Sequence, residues 1–207
     1  MGLGARQPTA QQVGTGRSPQ PIAADDISLA TCWATSTALQ RTVCLVALIV
    51  AIATPRIAGV PIASGLTVAI LVPAAFIDVR TRRLPDVWIG AAAVVFLVTD
   101  SLSRALGTFD VPPGDIVLGA LVMALPLLLM HLASPSSMGF GDVKLAVVVG
   151  AAIGAADWHL ALPALALAAG ATATVGIVVR LRHVPFGPGL VGATMVALLA
   201  HDVLVRT

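Results

Sequence analysis

A chain of 207 residues that is 57% hydrophobic and 11% charged, with a mean hydropathy of +0.97, is unlike a soluble domain, in which about 25% of residues are charged. Most of it belongs in lipid. The formal charge of +2 is too small to argue for nucleic acid, and two cysteines with no C-x-x-C pair exclude a zinc-cysteine cluster.

In chain order, residues 1–36 come first, rich in Gln, Pro, Gly, Ser and Thr. They read as a flexible polar tail, with no apolar core placed as in a signal peptide. Apolar runs divided by Pro, Gly and charge then predict seven spans: about 37–54, 57–77, 87–106, 115–133, 142–157, 160–180 and 189–205. A span needs roughly 20 residues to cross about 30 Å of hydrocarbon. The first is weak because it carries Arg41, and the fifth is short. Backbone polar groups in lipid must pair within the segment, which requires helices, and the alternation of a lipid-facing barrel is missing. The expected fold is an all-α polytopic membrane protein, a bundle of about six to seven transmembrane helices. Its expected divisions are the tail at 1–36, an extra amino-terminal span at 37–56 and a membrane domain at 57–207. Cys32 and Cys44 read as free apolar thiols, with a disulfide between them open on sequence. Trp33, Trp88 and Trp158 fall near predicted span ends, where interface anchors occur.

Basic residues set the expected orientation. With the amino terminus cytoplasmic, Arg6, Arg17, Arg41, Arg80, Arg82, Arg83, Lys144, Arg180 and Arg182 lie inside, and Arg56, Arg104 and Arg206 outside. Nine against three favours amino terminus in. Parity adds a constraint. Two spans separate Asp78 from Asp142, and two more separate Asp142 from the string His183-Val184-Pro185-Phe186-Gly187-Pro188. An even number of crossings returns the chain to one side, so all three strings are expected at the cytoplasmic face.

All ten acidic residues are Asp, and two of them abut apolar runs. Ionisable groups so close to hydrocarbon are costly and mark functional sites. Two carboxylates a few Å apart do not both ionise readily and share a proton. The ionised member takes a proton from water, while the protonated one donates to a carbonyl oxygen or leaving amine. The pair titrates as a unit. Such chemistry needs neither metal nor cofactor. Gly139 and Gly141, flanking Phe140 before Asp142, permit unusual dihedrals and close backbone approach. Phe140 suits an anchor in the apolar boundary.

Plainer readings stand beside these. On its fragment alone, Asp142 reads as a helix N-cap. Asp78, near a helix carboxyl end where the dipole disfavours an anion, also fits a salt bridge to Arg80, Arg82 or Arg83. Asp86 reads as an N-cap. The arginines set topology and touch anionic lipid headgroups, and Lys144 snorkels to the interface or biases Asp142. His131, His159, His183 and His201 share no ligand spacing, so no metal is expected.

Three ordered strings resemble the type IV prepilin peptidase family, aspartyl proteases of the Gly-x-Gly-Asp class. They are Asp78-Val79-Arg80-Thr81-Arg82-Arg83-Leu84-Pro85-Asp86, Gly139-Phe140-Gly141-Asp142-Val143-Lys144-Leu145 and Val184-Pro185-Phe186-Gly187-Pro188. The resemblance covers roughly residues 60–205 and implies that Asp78 and Asp142 are the catalytic pair. It leaves Gly139, Phe140, Gly141, Lys144, Arg80, Pro185 and Phe186 to bind substrate or shape the site. The implied substrate is a prepilin-like precursor, a short basic leader ahead of an apolar helix, cut on the cytoplasmic side of the plasma or inner membrane, typically after a Gly. Bifunctional relatives carry a methyltransferase domain with paired C-x-x-C ligands; the resemblance here is to the short branch serving tight-adherence pili, competence pili or preflagellin-like substrates. It therefore implies cleavage without amino-terminal methylation. Two other classes fit the same aspartates: a small transporter relaying protons or cations, and a non-catalytic pilus assembly factor.

Overall fold

The computed structural model describes residues 38–81, 86–109, 111–135, 138–179 and 185–205. The polar tail and residues Arg82, Arg83, Leu84 and Pro85 lie outside the described residues, as do Cys32, Trp33, Arg180, Arg182, His183 and Val184. Among the described residues the chain forms seven α-helices: α1 Ala38–Ala58, α2 Ile62–Thr81, α3 Asp86–Ala105, α4 Pro113–Ala133, α5 Phe140–Asp157, α6 Ala161–Val179 and α7 Gly187–Val205. A 3-10 turn, Trp158–Leu160, separates α5 from α6.

The expected all-α bundle is observed, with every expected span present as a helix. Boundaries shift in one place that matters. α2 starts at Ile62 and runs through Thr81, so Asp78 lies inside its last turn rather than after its end. α3, α4 and the stretch Phe140–Val178 are long and apolar enough to cross a membrane; Cys44–Pro55, Ile62–Asp78 and Gly187–His201 are shorter apolar helices. The exterior carries large apolar side chains, with Leu97 62%, Leu129 57% and Ile177 78% exposed. Such continuous apolar surface suits lipid rather than water.

Lipid removes most of the hydrophobic drive for helix association, so close packing of small residues must supply it. The α4–α5 hairpin shows this best. Gly150 and Gly154 are four residues apart on α5, and a Cβ at Gly150 would stand 2.6 Å from the Gly119 carbonyl oxygen and 2.9 Å from Ala120 Cα. Gly119, in turn, has no room for a Cβ against the backbone of Gly150 and Gly154. Between α1 and α2, Gly65 lies against the Pro55 ring in the same way. At the end of α3, Gly107 adopts φ 63. There the Gly107 N–H donates to the Arg104 carbonyl and that of Thr108 to the Ser103 carbonyl, at 3.1 and 3.0 Å. This is the Schellman closure, in which glycine takes the left-handed position.

α2 sits centrally and packs on α1, α3, α5 and α7. Its buried stripe runs Ser64, Thr67, Leu71, Ala74, Ala75 and Asp78, at the three- and four-residue steps of one helical face. Ser64 Oγ donates to the Ala152 carbonyl oxygen of α5 at 2.6 Å. The start of α2 therefore meets the end of α5, and the two helices are antiparallel.

The hairpin contact predicts a specific stability effect. Gly150→Val should lower stability by about 1–3 kcal/mol, the range for overpacking a tight contact, whereas Gly170→Ala, which meets nothing within 4 Å, should not. Thermal unfolding of the two variants in detergent, followed by circular dichroism, checks this.

Candidate active site

The antiparallel register brings Asp78 and Asp142 to one end of the bundle. From Ser64 to Asp78 is about 21 Å along α2, and from Ala152 to Asp142 about 15 Å along α5, at 1.5 Å per residue. The two carboxylates thus lie within about 6 Å of one level, little more than a helical turn. Asp142 continues the stripe of Leu145, Ala146, Val149 and Ile153, all at 0% exposure, so it faces the bundle interior. The charge of Asp78 is felt at Asp142.

Asp78 is the one buried carboxylate among the described residues. Five polar side chains are buried among the described residues: Thr54, Ser64, Thr67, Asp78 and Thr194. Thr54, Thr67 and Thr194 each donate to the carbonyl four residues earlier, and Ser64 donates to Ala152. Asp78, 5% exposed, differs from these four in being ionisable. An ionisable group set this close to hydrocarbon is costly and marks a functional site.

Asp142 is not the helix cap. Gly139 holds the cap position with φ −72 and ψ 140 and makes no side-chain cap bond. Asp142 comes three residues later, its N–H donating to the Gly139 carbonyl at 3.1 Å. Its carboxylate is thereby free of capping, while the helix's positive end still favours negative charge there. The φ of Gly139 is one any residue adopts, and left-handed glycines among the described residues are Gly59 and Gly107. What Gly139 supplies is space: a Cβ there would approach nothing closer than Gly141 N at 4.0 Å.

Lys144 neither snorkels freely nor turns to Asp142. Its Nζ meets Asp86 Oδ2 at 3.0 Å and stands 5.5 Å above the centroid of the Phe140 ring, within cation–π range. Asp86, expected as an N-cap, is the first residue of α3 and spends its carboxylate on this pair. Both side chains are substantially exposed, 42% and 68%, so the pair contributes only about 0.2–1 kcal/mol. It joins the start of α3 to α5 just beyond the Gly-x-Gly-Asp string. Phe140, half exposed, also tilts against His131 at 5.5 Å between centroids.

His131 is a residue that sequence reasoning passed over. In the last turn of α4, its Nδ1 lies 2.9 Å from the Met138 carbonyl oxygen. A carbonyl only accepts, so the proton is on Nδ1. This bond anchors the segment leading into Gly139 and Asp142. Nothing local in the sequence signals it, because the partner lies seven residues on, across a loop. Arg80 falls in the last turn of α2, its side chain outside the described residues. Pro185 and Phe186 lead into α7, whose Leu190 N–H donates to the Phe186 carbonyl at 3.1 Å. Phe186 packs on the main core, and α7 contacts both α2 and α5. Among the described residues, no three of His, Cys, Asp and Glu gather as a metal-ligand set.

Residues 65–179 match the profile of the Type IV leader peptidase family. The chain belongs to this family. The match spans α2 through α6 and includes both aspartates. Among individual relatives, a "Prepilin leader peptidase/N-methyltransferase" of Aeromonas salmonicida (strain A449) is 34% identical over 158 residues, covering 70% of this chain and 51% of that protein. One of Aeromonas hydrophila with the same printed name shows the same identity and coverage. The chain spans about half the length of the curated relatives it matches. No solved structure matches it. Membership in the leader peptidase family agrees with the resemblance carried by the three motifs.

The His131 anchor predicts a local effect. His131→Phe keeps a ring beside Phe140 and removes the Nδ1 donor. Losing one hydrogen bond, about 0.5–1.5 kcal/mol, should accelerate hydrogen exchange at the Asp142 amide by roughly 2- to 10-fold and leave α2 unchanged. Exchange read by mass spectrometry on peptides from 138–145 and 62–78 makes the comparison.

Proposed function

We propose that the chain is a membrane-embedded aspartyl endopeptidase that removes the short basic leader from prepilin-like precursors at the cytoplasmic face, with Asp78 and Asp142 as the catalytic pair. The observation that carries this reading is a buried carboxylate, Asp78, set at the same bundle end as Asp142 and electrostatically in touch with it. Family membership supports the reaction class.

The chemistry follows from the arrangement. The pair holds one proton between two carboxylates. The ionised carboxylate accepts a proton from a water, whose oxygen attacks the scissile carbonyl carbon, and the protonated one donates to the oxygen that gains charge. Collapse of the tetrahedral intermediate then returns a proton to the leaving amine. Low local dielectric strengthens the coupling of the two groups. Both aspartates occupy terminal helical turns, so the reacting bond lies at the membrane rim. A leader approaches from water, while the apolar helix behind it stays in lipid. The excess of basic residues on one side supports a cytoplasmic site, and residues 57–207 would form the peptidase unit. A proton or cation relay calls for carboxylates near the bilayer midplane; these lie in a last and a first turn.

Co-expression with a precursor bearing a basic leader, a Gly and an apolar helix tests the proposal. Leader removal, followed by gel shift and amino-terminal sequencing, should occur with the native chain. Asp78→Asn and Asp142→Asn should each reduce it by at least about 100-fold, the scale of general acid–base catalysis, while the protein still accumulates in membranes. Cleavage surviving either substitution removes the assigned pair. Cleavage should also persist in EDTA; its loss on chelation would contradict a two-carboxylate mechanism.

A further inference from the structure

The turn that presents Asp142 is built from residues with little grip of their own. Gly139 and Gly141 flank Phe140 just ahead of it, and glycine has the widest backbone freedom of any residue. Gly139 is exposed, and a Cβ there would approach nothing closer than 4.0 Å. The first N–H groups of a helix also lack carbonyl partners within it. Such a turn needs support from outside, and α4 provides it. His131 Nδ1 donates to the Met138 carbonyl at 2.9 Å, and the His131 ring lies 5.5 Å from that of Phe140. The Met138 side chain is buried in the main core, so residue 138 is held by both its side chain and its carbonyl. The next carbonyl, that of Gly139, accepts the Asp142 N–H at 3.1 Å. Two consecutive peptide groups thus connect the imidazole to the backbone of Asp142.

We infer that His131 is a positioning residue for Asp142: by holding the Met138 carbonyl it sets where the α5 carboxylate stands during cleavage. The inference rests on the peptidase reading and adds a residue on which the rate of that reaction depends. Displacing a reacting group by about 1 Å can cost on the order of 100-fold in rate, so even partial loosening of this turn reaches kcat. α4 is a firm support, because its backbone meets that of α5 at Gly119, Gly150 and Gly154. The bond suits holding rather than proton transfer. Nδ1 carries its hydrogen in the neutral tautomer that faces a carbonyl and equally in the imidazolium, so the anchor persists through a change of protonation state. The charged groups about the Phe140 ring are Lys144 of α5 and, through it, Asp86 of α3, and these pair with each other at 3.0 Å.

Steady-state cleavage by the full chain in detergent tests the assignment. The probe is a synthetic precursor with a basic leader, a Gly and a Leu-Ala helix. His131→Phe keeps the ring and removes the donor; His131→Asn removes the ring and keeps an amide N–H near the place of Nδ1. The Phe variant should lower kcat by about 3- to 10-fold, the scale of one hydrogen bond, with KM within about twofold of native. The Asn variant should recover kcat to within about twofold of native. The limbs of the pH profile should stay where they are in both. His159→Phe, at the other end of α5 and exposed, should cleave as the native chain does. Native kcat in the Phe variant, equal impairment of the Asn and Phe variants, or loss of a pH limb would each overturn the inference. If the Phe variant does not accumulate in membranes, His131→Leu, likewise without a donor, takes its place. Native cleavage with an unaffected donor-less variant discards the role of His131 alone, whereas absence of cleavage by the native chain discards the peptidase reading and this inference with it.

Discussion

The buried hydrogen bond from Ser64 to the Ala152 carbonyl marks the register of α2 against α5, and the candidate site depends on that register. Two antiparallel helices of similar length place the end of one beside the start of the other. One strip of α2 carries both Ser64 and Asp78, so the face that makes the bond also delivers the carboxylate. α5 answers with a strip of fully buried side chains headed by Asp142. Sliding the helices by one turn would change the offset of the aspartates by about 5 Å and cost the hydroxyl its acceptor.

Rigid support comes from small residues. The α4–α5 hairpin brings backbone against backbone at Gly119, Gly150 and Gly154, fixing the helix that presents Asp142. At the other end of that hairpin, His131 holds the approach to Gly139. Asp86 and Lys144 link α3 to α5 more loosely, through an exposed ion pair. The carboxylate end is thus firmly held behind Asp142 and more loosely tied on the α3 side.

Much of this was legible in the sequence. Apolar runs of roughly span length could only be helices in lipid, and counting two crossings between Asp78 and Asp142 placed both aspartates at one end before any packing was known. The motif strings indicated the family. Other features were not legible, for identifiable reasons. The capping preference of Asp at helix starts pointed to Asp142, but the helix begins two residues earlier and Gly139 takes the cap position, a choice of backbone that composition does not reveal. Lys144 pairs with a residue 58 positions away, and the His131–Met138 bond closes across a loop; both depend on tertiary contact. The end of α2 was misplaced because a run of hydropathy stops at the first charge, whereas the helix continues to Thr81.

Cysteine crosslinking measures the central claim most directly. In a chain with Cys32 and Cys44 replaced by serine, Asp78→Cys with Asp142→Cys is treated in native membranes with a short bismaleimide, alongside Ser64→Cys with Ala152→Cys as the register control. Bridging of both pairs, with positions 78 and 142 labelled from the same side of the membrane, is the predicted result. Bridging at 64 and 152 without bridging at 78 and 142, or labelling of the two aspartate positions from opposite sides, would contradict it.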